Sequence, residues 1–571
     1  MDFSIENVGE RWAAFWKEVG LVMPEVWLAV GMCAVILVPF IRRRDVRLPI
    51  YAALGTLLLA LVALARKSVT LDVIGADNKL ITESVSTMAM STTVFHDMLV
   101  IDHFSQFFKL LLILFTALII AQWWLLKRER GSDLDAPDFF CLLLGATFGM
   151  ALMASANNLL MIVIAIEAAS LPSFALAGYR KHTRRGTEAS LKYVIFGAAS
   201  SAIMIYGMSL IYGTTGTLSL PGVAHAAATG GMTPLLAIGL IAMFAGLAFK
   251  LSAVPMHFWC PDVFQGAPMP VTTFLSVASK GAAVVLLVRI VHAFGVARLN
   301  LDGATGEGLF MGICVGVAIL GGVTATWGNL LAFHQNNMKR MLAYSSIAHA
   351  GYMIMACAAL IFPDRTGGDV SGAILFYLLV YMFMNLGAFT IVGLIAERTG
   401  SEDIRAYTGL IKRSPALAGL LILFLLSLFG MPGLGGFLGK IYLMKGMGGL
   451  GDGALVVIAV LLINTLISLY FYMRPVFYMV FAKDEEDRPS FALGAGQAIL
   501  IACAAAVVWT GLGGGSAMTY GFAELRSPEK EAVAPIAPVQ PVPATTLQPV
   551  KPNETDAGAT LATPTPIKRE L

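Results

Sequence analysis

The 571-residue sequence predicts an all-α polytopic membrane protein. Three observations carry that prediction. Apolar runs of about 20 residues, enough to cross a bilayer as a helix, recur from end to end. The chain is 57% hydrophobic and only 13% charged, against roughly 25% charged in a soluble domain. The runs are continuous rather than alternating, which argues against a β-barrel. A net charge of +3 is too small to suggest a nucleic-acid partner.

Taken in order, residues 1–20 form a polar, Trp-bearing lead suited to the membrane interface. Spans are expected at 21–40, 48–66, 104–126, 138–156, 158–179, 190–213 and 233–254. The second half adds 269–294, 308–328, 340–361, 371–396, 414–446, 454–482 and 490–513. That makes about fourteen transmembrane helices of bilayer-crossing length. No cleavable signal is evident, so the first apolar run is read as a retained span. Basic residues gather in Arg42–Arg47, Lys127–Arg130, Arg180–Arg185, Lys339–Arg340 and Arg405–Arg413, which fourteen spans place on one side. Positive loops face the cytoplasm, so both termini are expected outward. The tail from residue 524 holds nine of the 25 prolines and reads as a disordered, partly polyproline extension over 524–571.

Six cysteines occur singly, with no C-x-x-C pair or Cys/His cluster, so apolar filling is their expected role. Four charged residues sit well inside spans: Glu167, Lys250, Lys280 and Lys440. Each costs about 2.5–3.5 kcal/mol at mid-bilayer if exposed to lipid, so all four are expected to face a protein or water-filled interior. Lys192 and Arg289 lie nearer span ends and can snorkel. Static buried ion pairs and a proton relay both remain open; one carboxylate against several lysines favours the relay, because an unpaired buried lysine is driven towards its neutral form. Pro255 interrupts the helix just after Lys250, and Gly430, Pro432, Gly433, Gly435 and Gly436 interrupt the one leading to Lys440. Two broken helices, each with a lysine, suggest corresponding positions in two internal repeats, and their freed carbonyls are places for water. Ser345 and His349 share a helix face, as do Tyr377, Tyr381 and Asn385. A relay role for His349 and a packed, hydrogen-bonded one both stay open; His257, beside the break, is placed at an interface.

The runs VPMHFWCPDVFQGAPMPVTTFL, IEAASLPSFALAGY, EASLKYVIFGAASSAIMIYGMSLIYG, NMKRMLAYSSIAHAGYM and GMPGLGGFLGKIYL resemble, in order over roughly 100–480, the subunit N family of bacterial NADH-quinone oxidoreductase (respiratory complex I; mitochondrial subunit 2). The resemblance implies two inverted five-helix repeats: helices 4–8 over 138–294 and helices 9–13 over 308–482. Three N-terminal helices over 1–137 precede them, and a last helix follows at 490–513. It further implies a proton relay of Glu167, Lys192, Lys250, Lys280 and Lys440, to which the reading of the residues adds His349. Relay movement would be driven by NADH-to-quinone electron transfer in neighbouring subunits. This chain is expected to hold no cofactor. NADH, FMN, iron–sulfur clusters and quinone belong to partners: the peripheral redox arm and the L/M-type, K-type and J-type membrane subunits. Membrane lipid surrounds the chain, which is expected in the bacterial inner membrane. A multi-subunit sodium/proton antiporter is the alternative. Departures from the family pattern are Ala168 and Ala169 after Glu167, Ser279 before Lys280, and His334; none removes a charge.

Overall fold

Helices start where caps or prolines precede the apolar runs. Asp102 accepts the Ser105 backbone N–H at 2.8 Å while the Ser105 hydroxyl accepts the Asp102 N–H at 3.2 Å, a capping box that opens the third expected span. Asn158, Thr183, Thr233 and Asn337 cap in the same way through a side-chain oxygen. The structure, a computed structural model, describes residues 5–41, 47–66, 73–74, 80–81, 92–126, 135–181, 183–301, 306–366, 369–482 and 497–514. All lie within the unit Met1–Ser527. The tail over 524–571, the basic residues 42–46 and 127–130, and 490–496 lie outside the described residues.

The order begins with α1 (Ile5–Leu21), α2 (Met23–Ile41) and α3 (Arg47–Arg66). Trp12–Leu21 of α1 stands at 84° to Met23–Val38 of α2, with Trp12, Phe15 and Trp16 exposed along it. Two small antiparallel hairpins follow, β1–β2 (Val73–Ile74, Leu80–Ile81) and β3–β4 (Thr92–Val94, Leu99–Ile101). Then come α4 (His103–Leu125), α5 (Ala136–Ser155), α6 (Leu159–Ala177), α7 (Arg184–Thr215), α8 (Leu220–Gly230) and α9 (Pro234–Leu251). After the first break, α10 (Trp259–Gly266) leads to α11 (Met269–Phe274), a π-helical turn (Leu275–Ser279) and α12 (Lys280–Leu299). The second half runs α13 (Glu307–Ala332), α14 (Met338–Cys357), α15 (Pro363–Thr366), α16 (Asp369–Thr399), α17 (Leu410–Arg413) and α18 (Pro415–Phe429). After the second break come α19 (Gly435–Met447), α20 (Ala454–Val480) and α21 (Gln497–Trp509).

Every expected span coincides with helix in the described residues, yet the count of fourteen is not reached. Among the described residues, 11 helices can cross a membrane by length and apolarity, or 12 with the bent pair of α1 and α2. The shortfall has local causes: α19 and α20 run together as one apolar stretch, Gly435–Val480, of 46 residues, while Pro415–Phe429, cut off at residues 430–434, and Ala498–Gly513 are each short.

Burial is graded across the molecule. Of the most apolar stretch, 94% is buried in Met269–Leu299, 100% in Met338–Ile361 and 89% in Val370–Thr399, against 33% in Arg184–Thr215. Three helices therefore form an inner core from which lipid is excluded. Those three carry Lys280, His349 and Tyr377, so side chains that would be costly against hydrocarbon sit where protein surrounds them.

Candidate functional site

Both breaks are real and each exposes main chain to a side chain. α9 ends at Leu251, Ser252 turns left-handed (φ 55°), and the chain runs irregularly to Trp259. The Trp259 indole N–H donates to the Phe249 carbonyl at 3.1 Å. Lys250, 5% exposed, donates to the Ser170 hydroxyl. Its ammonium also lies 5.4 Å from the Phe174 ring centroid and 5.5 Å from that of Phe249. Glu167, three residues before Ser170 on α6, is half-buried and accepts the Ser201 hydroxyl. It and Lys250 take separate serines rather than each other.

At the second break, Lys440 donates to the Phe429 carbonyl at 2.7 Å and to the Thr465 hydroxyl at 3.3 Å. Phe429 ends α18, so its carbonyl is one that the interruption frees. Gly430 (φ 97°) makes the approach feasible: a Cβ there would fall 3.2 Å from Lys440 Cδ and 3.4 Å from its Nζ.

Lys280 follows directly on the π-helical turn, an irregularity common at functional sites. It is 1% exposed and donates to the Ser346 hydroxyl and, at 3.3 Å, to Cys260 Sγ. Phe264 stands 5.2 Å from its ammonium. Ser346 lies on α14, one turn before His349. The His349 ring bridges two tyrosines, Nδ1 to Tyr377 Oη at 2.6 Å and Nε2 to Tyr472 Oη at 3.1 Å. Tyr472 is shared with Ser345. Tyr352 packs edge-on to His349 at 5.6 Å and presents its ring to Lys440 at 5.2 Å. Ser346, His349 and Tyr352, three residues apart on one face of α14, thus run from the Lys280 side to the Lys440 side. Between Lys250 and Lys280 the contact is aromatic instead: Tyr193 stacks on Trp259 at 4.3 Å, and Phe174 and Phe249 flank them.

Several sequence expectations change. Lys192 is not a snorkelling residue but an ion-paired one, 2.7 Å from both Asp262 and Glu188. His257 is buried rather than interfacial, at 2% exposure. Cys260 is more than apolar filling, since it accepts a hydrogen bond from Lys280. Lys339 is no loop charge: it is 1% exposed, donates to the Ala267 carbonyl at 2.7 Å and pairs with Glu402 at 3.4 Å. Sequence reasoning missed Lys109 and Glu25 altogether, a pair 2.5 Å apart with side chains 2% and 4% exposed. A lysine five residues into the expected span 104–126 is the signal that would have found it. Arg289 forks onto Asp102 at 2.7 and 3.0 Å. Burial alone would raise the Asp102 carboxyl, but the Arg289 charge and hydrogen bonds from Arg289 and Ser105 hold it below its ordinary value.

Fold and site together define an antiporter-like membrane domain: a helical bundle with two broken helices and lysines buried at its centre. Residues 156–468 match the family model described as NADH:quinone oxidoreductase/Mrp antiporter, TM. The chain is 40% identical over 430 residues to NADH-quinone oxidoreductase subunit N of Anaeromyxobacter sp., covering 72% of this chain and 80% of that protein. It is 41% identical to NAD(P)H-quinone oxidoreductase subunit 2 of Picosynechococcus sp., covering 67% and 70%. Among solved structures, a chain of respiratory complex I from Thermus thermophilus aligns with TM-score 0.67 and 31% identity over 87% of this chain and 98% of that one. A chain of the Mrp complex from Dietzia sp. aligns with TM-score 0.70 but 20% identity, over 88% and 97%, a likeness of fold alone. The chain belongs to the NADH-quinone oxidoreductase subunit N family.

Proposed function

We propose that the chain is the proton-translocating membrane subunit of an NADH-quinone oxidoreductase, and that its buried lysines are the relay. One observation carries the relay reading. Among the described residues, no carboxylate lies within 4.0 Å of the Lys250, Lys280 or Lys440 ammonium. Each is held instead by hydroxyl, thiol or carbonyl groups, which accept a hydrogen bond but carry no charge to lock the lysine protonated. Static pairing is the fate of Lys109 and Arg289, not of these three.

Protonating one lysine disfavours charge on the next and favours it near Glu167, so a proton entering at one end is felt along the axis. Glu167 sets the potential at Lys250, Lys192 stands at the rim in its ion pairs, and His349 passes charge between the Lys280 and Lys440 sides. Moving one charge against 100 mV costs about 2.3 kcal/mol. We assign the energy source to partner subunits: a peripheral arm with NADH, FMN, iron–sulfur clusters and quinone, and L/M-, K- and J-type membrane subunits. We assign the broken helices to two inverted five-helix repeats, 138–294 and 308–482, and the chain to a bacterial inner membrane with both termini outward. A sodium/proton antiporter subunit is less favoured, since identity reaches 40% with subunit N but 20% with the Mrp chain.

The test is Lys280→Ala in the assembled enzyme in sealed vesicles. Protons moved per NADH oxidised should fall; an unchanged ratio removes Lys280 from the relay. Co-purified NADH-oxidising subunits support this reading, whereas small antiporter subunits alone would replace it with the alternative.

A further inference from the structure

Asp262 is the one carboxylate on α10, and it serves two cations from different parts of the fold. Oδ2 accepts from Lys192 of α7 at 2.7 Å, and Oδ1 accepts from Arg340 of α14 at 2.6 Å. Arg340 reaches further, to Gln265 of α10 at 3.1 Å and Gln335 at 3.2 Å. Its neighbour Lys339 caps the far end of the same half-helix through the Gln265 and Ala267 carbonyls, at 3.3 and 2.7 Å. A cation at a helix C-terminus is favourably placed against the dipole. At its other end α10 is tied to α9 by Trp259, and its Cys260 faces the Lys280 ammonium. This half-helix therefore touches the surroundings of Lys192, Lys250, Lys280 and Lys339 within eight residues.

We propose that Asp262 is a positioning residue that couples the charge on Lys192 to the setting of Lys280, with α10 as the rigid link. The inference rests on the relay reading above. Both cations are held to Asp262 by contact ion pairs, one from each neighbouring helix. With Lys192 charged, the carboxylate is shared and α10 is held between α7 and α14. With the Lys192 charge removed by substitution, the pull towards α7 weakens and Asp262 belongs to Arg340 alone. Cys260 lies two residues along the same short helix, so a shift of α10 is a shift of the group that Lys280 donates to. Glu188, the second partner of Lys192, sits on α7 itself and cannot transmit this pull between helices.

The experiment uses the assembled enzyme in vesicles, with protons per NADH and the quantity of assembled complex both measured. Asp262→Asn should lower pumping about five-fold, the lower end of ordinary coupling between sites. Asp262→Glu should restore most of it. In a Lys192→Ala background, Asp262→Asn should change pumping by less than about two-fold, since the charge it reads is gone. Wild-type pumping by Asp262→Asn, or the full loss repeated in Lys192→Ala, overturns the proposal. A second measurement does not depend on Asp262→Asn folding. With the other five cysteines replaced by Ala, alkylation of Cys260 by N-ethylmaleimide should quicken about five-fold in Lys192→Ala; an unchanged rate overturns the link. If Lys192→Ala and Lys280→Ala both pump normally, the relay reading itself fails. If they pump poorly while the Asp262 and Cys260 results are null, only the coupling fails.

Discussion

Gly430→Ala tests whether the second break exists to bring Lys440 onto a free carbonyl. Gly430 has φ 97°, outside the range an L-residue adopts without strain. Placing alanine in left-handed backbone costs about 1–2 kcal/mol. The new Cβ would also stand 3.2, 3.4 and 3.5 Å from Lys440 Cδ, Nζ and Cε, close enough that the lysine must give by a few tenths of an ångström. The Phe429 bond at 2.7 Å survives such a shift, but the Thr465 contact at 3.3 Å is carried towards its limit of about 3.5 Å. A 1 Å misplacement of a reacting group can cost about 100-fold, so a few tenths corresponds to roughly a three- to five-fold loss of transfer through Lys440. The charge itself is untouched. The assay is proton uptake per NADH in vesicles, alongside thermal melting of the detergent-solubilised enzyme. Gly419→Ala is the control, because Gly419 lies inside α18 with nothing within 4 Å of its would-be Cβ. Alanine there should be neutral or stabilise by up to about 1 kcal/mol. If both substitutions behave alike in pumping, close approach to Lys440 is not what Gly430 is for.

Two further substitutions separate relay from scaffold. Tyr472→Phe deletes the hydroxyl shared by Ser345 and His349, leaving two buried groups each short of a partner at about 1–3 kcal/mol; the melting midpoint should drop and pumping with it, and an unshifted midpoint would show that Tyr472 does not hold His349. Lys109→Met strands the Glu25 carboxylate at a cost of about 3–5 kcal/mol, so the amount of assembled enzyme should fall while the surviving enzyme pumps at its usual ratio. Adding Glu25→Gln should recover assembly. Normal assembly with lost pumping would instead place the pair on the proton path.

The helical class and the helix positions were legible because apolar runs of bilayer length have no other economical structure than the helix. The breaks were legible too, since Pro255 and the glycines around residue 433 each remove what a helix needs. The carbonyls at the breaks were read as places for water; at the second break the Phe429 carbonyl accepts from Lys440, and at the first the Phe249 carbonyl accepts from the Ser252 N–H and the Trp259 indole while Lys250 turns to Ser170. Helix periodicity placed Ser345 and His349 on one face, and both indeed reach Tyr472. What one sequence could not give was pairing across distance. Asp262 is 70 residues from Lys192 and 78 from Arg340, and nothing local marks it. Lys339 and Arg340 look like an ordinary basic loop until α10 is folded against them.

Five largely buried cations among the described residues divide into two groups by what surrounds them, and the division bears on mechanism. Lys109 and Arg289 each meet a carboxylate at 2.5–2.7 Å. Neutralising either would abandon a partner charge in low dielectric, which is costly enough to hold both groups ionised. Lys250, Lys280 and Lys440 meet a serine, a serine with a thiol, and a carbonyl with a threonine, together with aromatic faces. Those partners stabilise an ammonium when it is present and strand no charge when it is absent. Only the second arrangement lets a lysine change protonation without a large penalty in either state, which a relay requires and a packing contact does not. Glu167 fits between the groups. It is bonded to Ser201 rather than to the lysine. A carboxylate drawn into direct contact would convert Lys250 to the locked type, so under the proposed relay Glu167 has to stay out of contact with it.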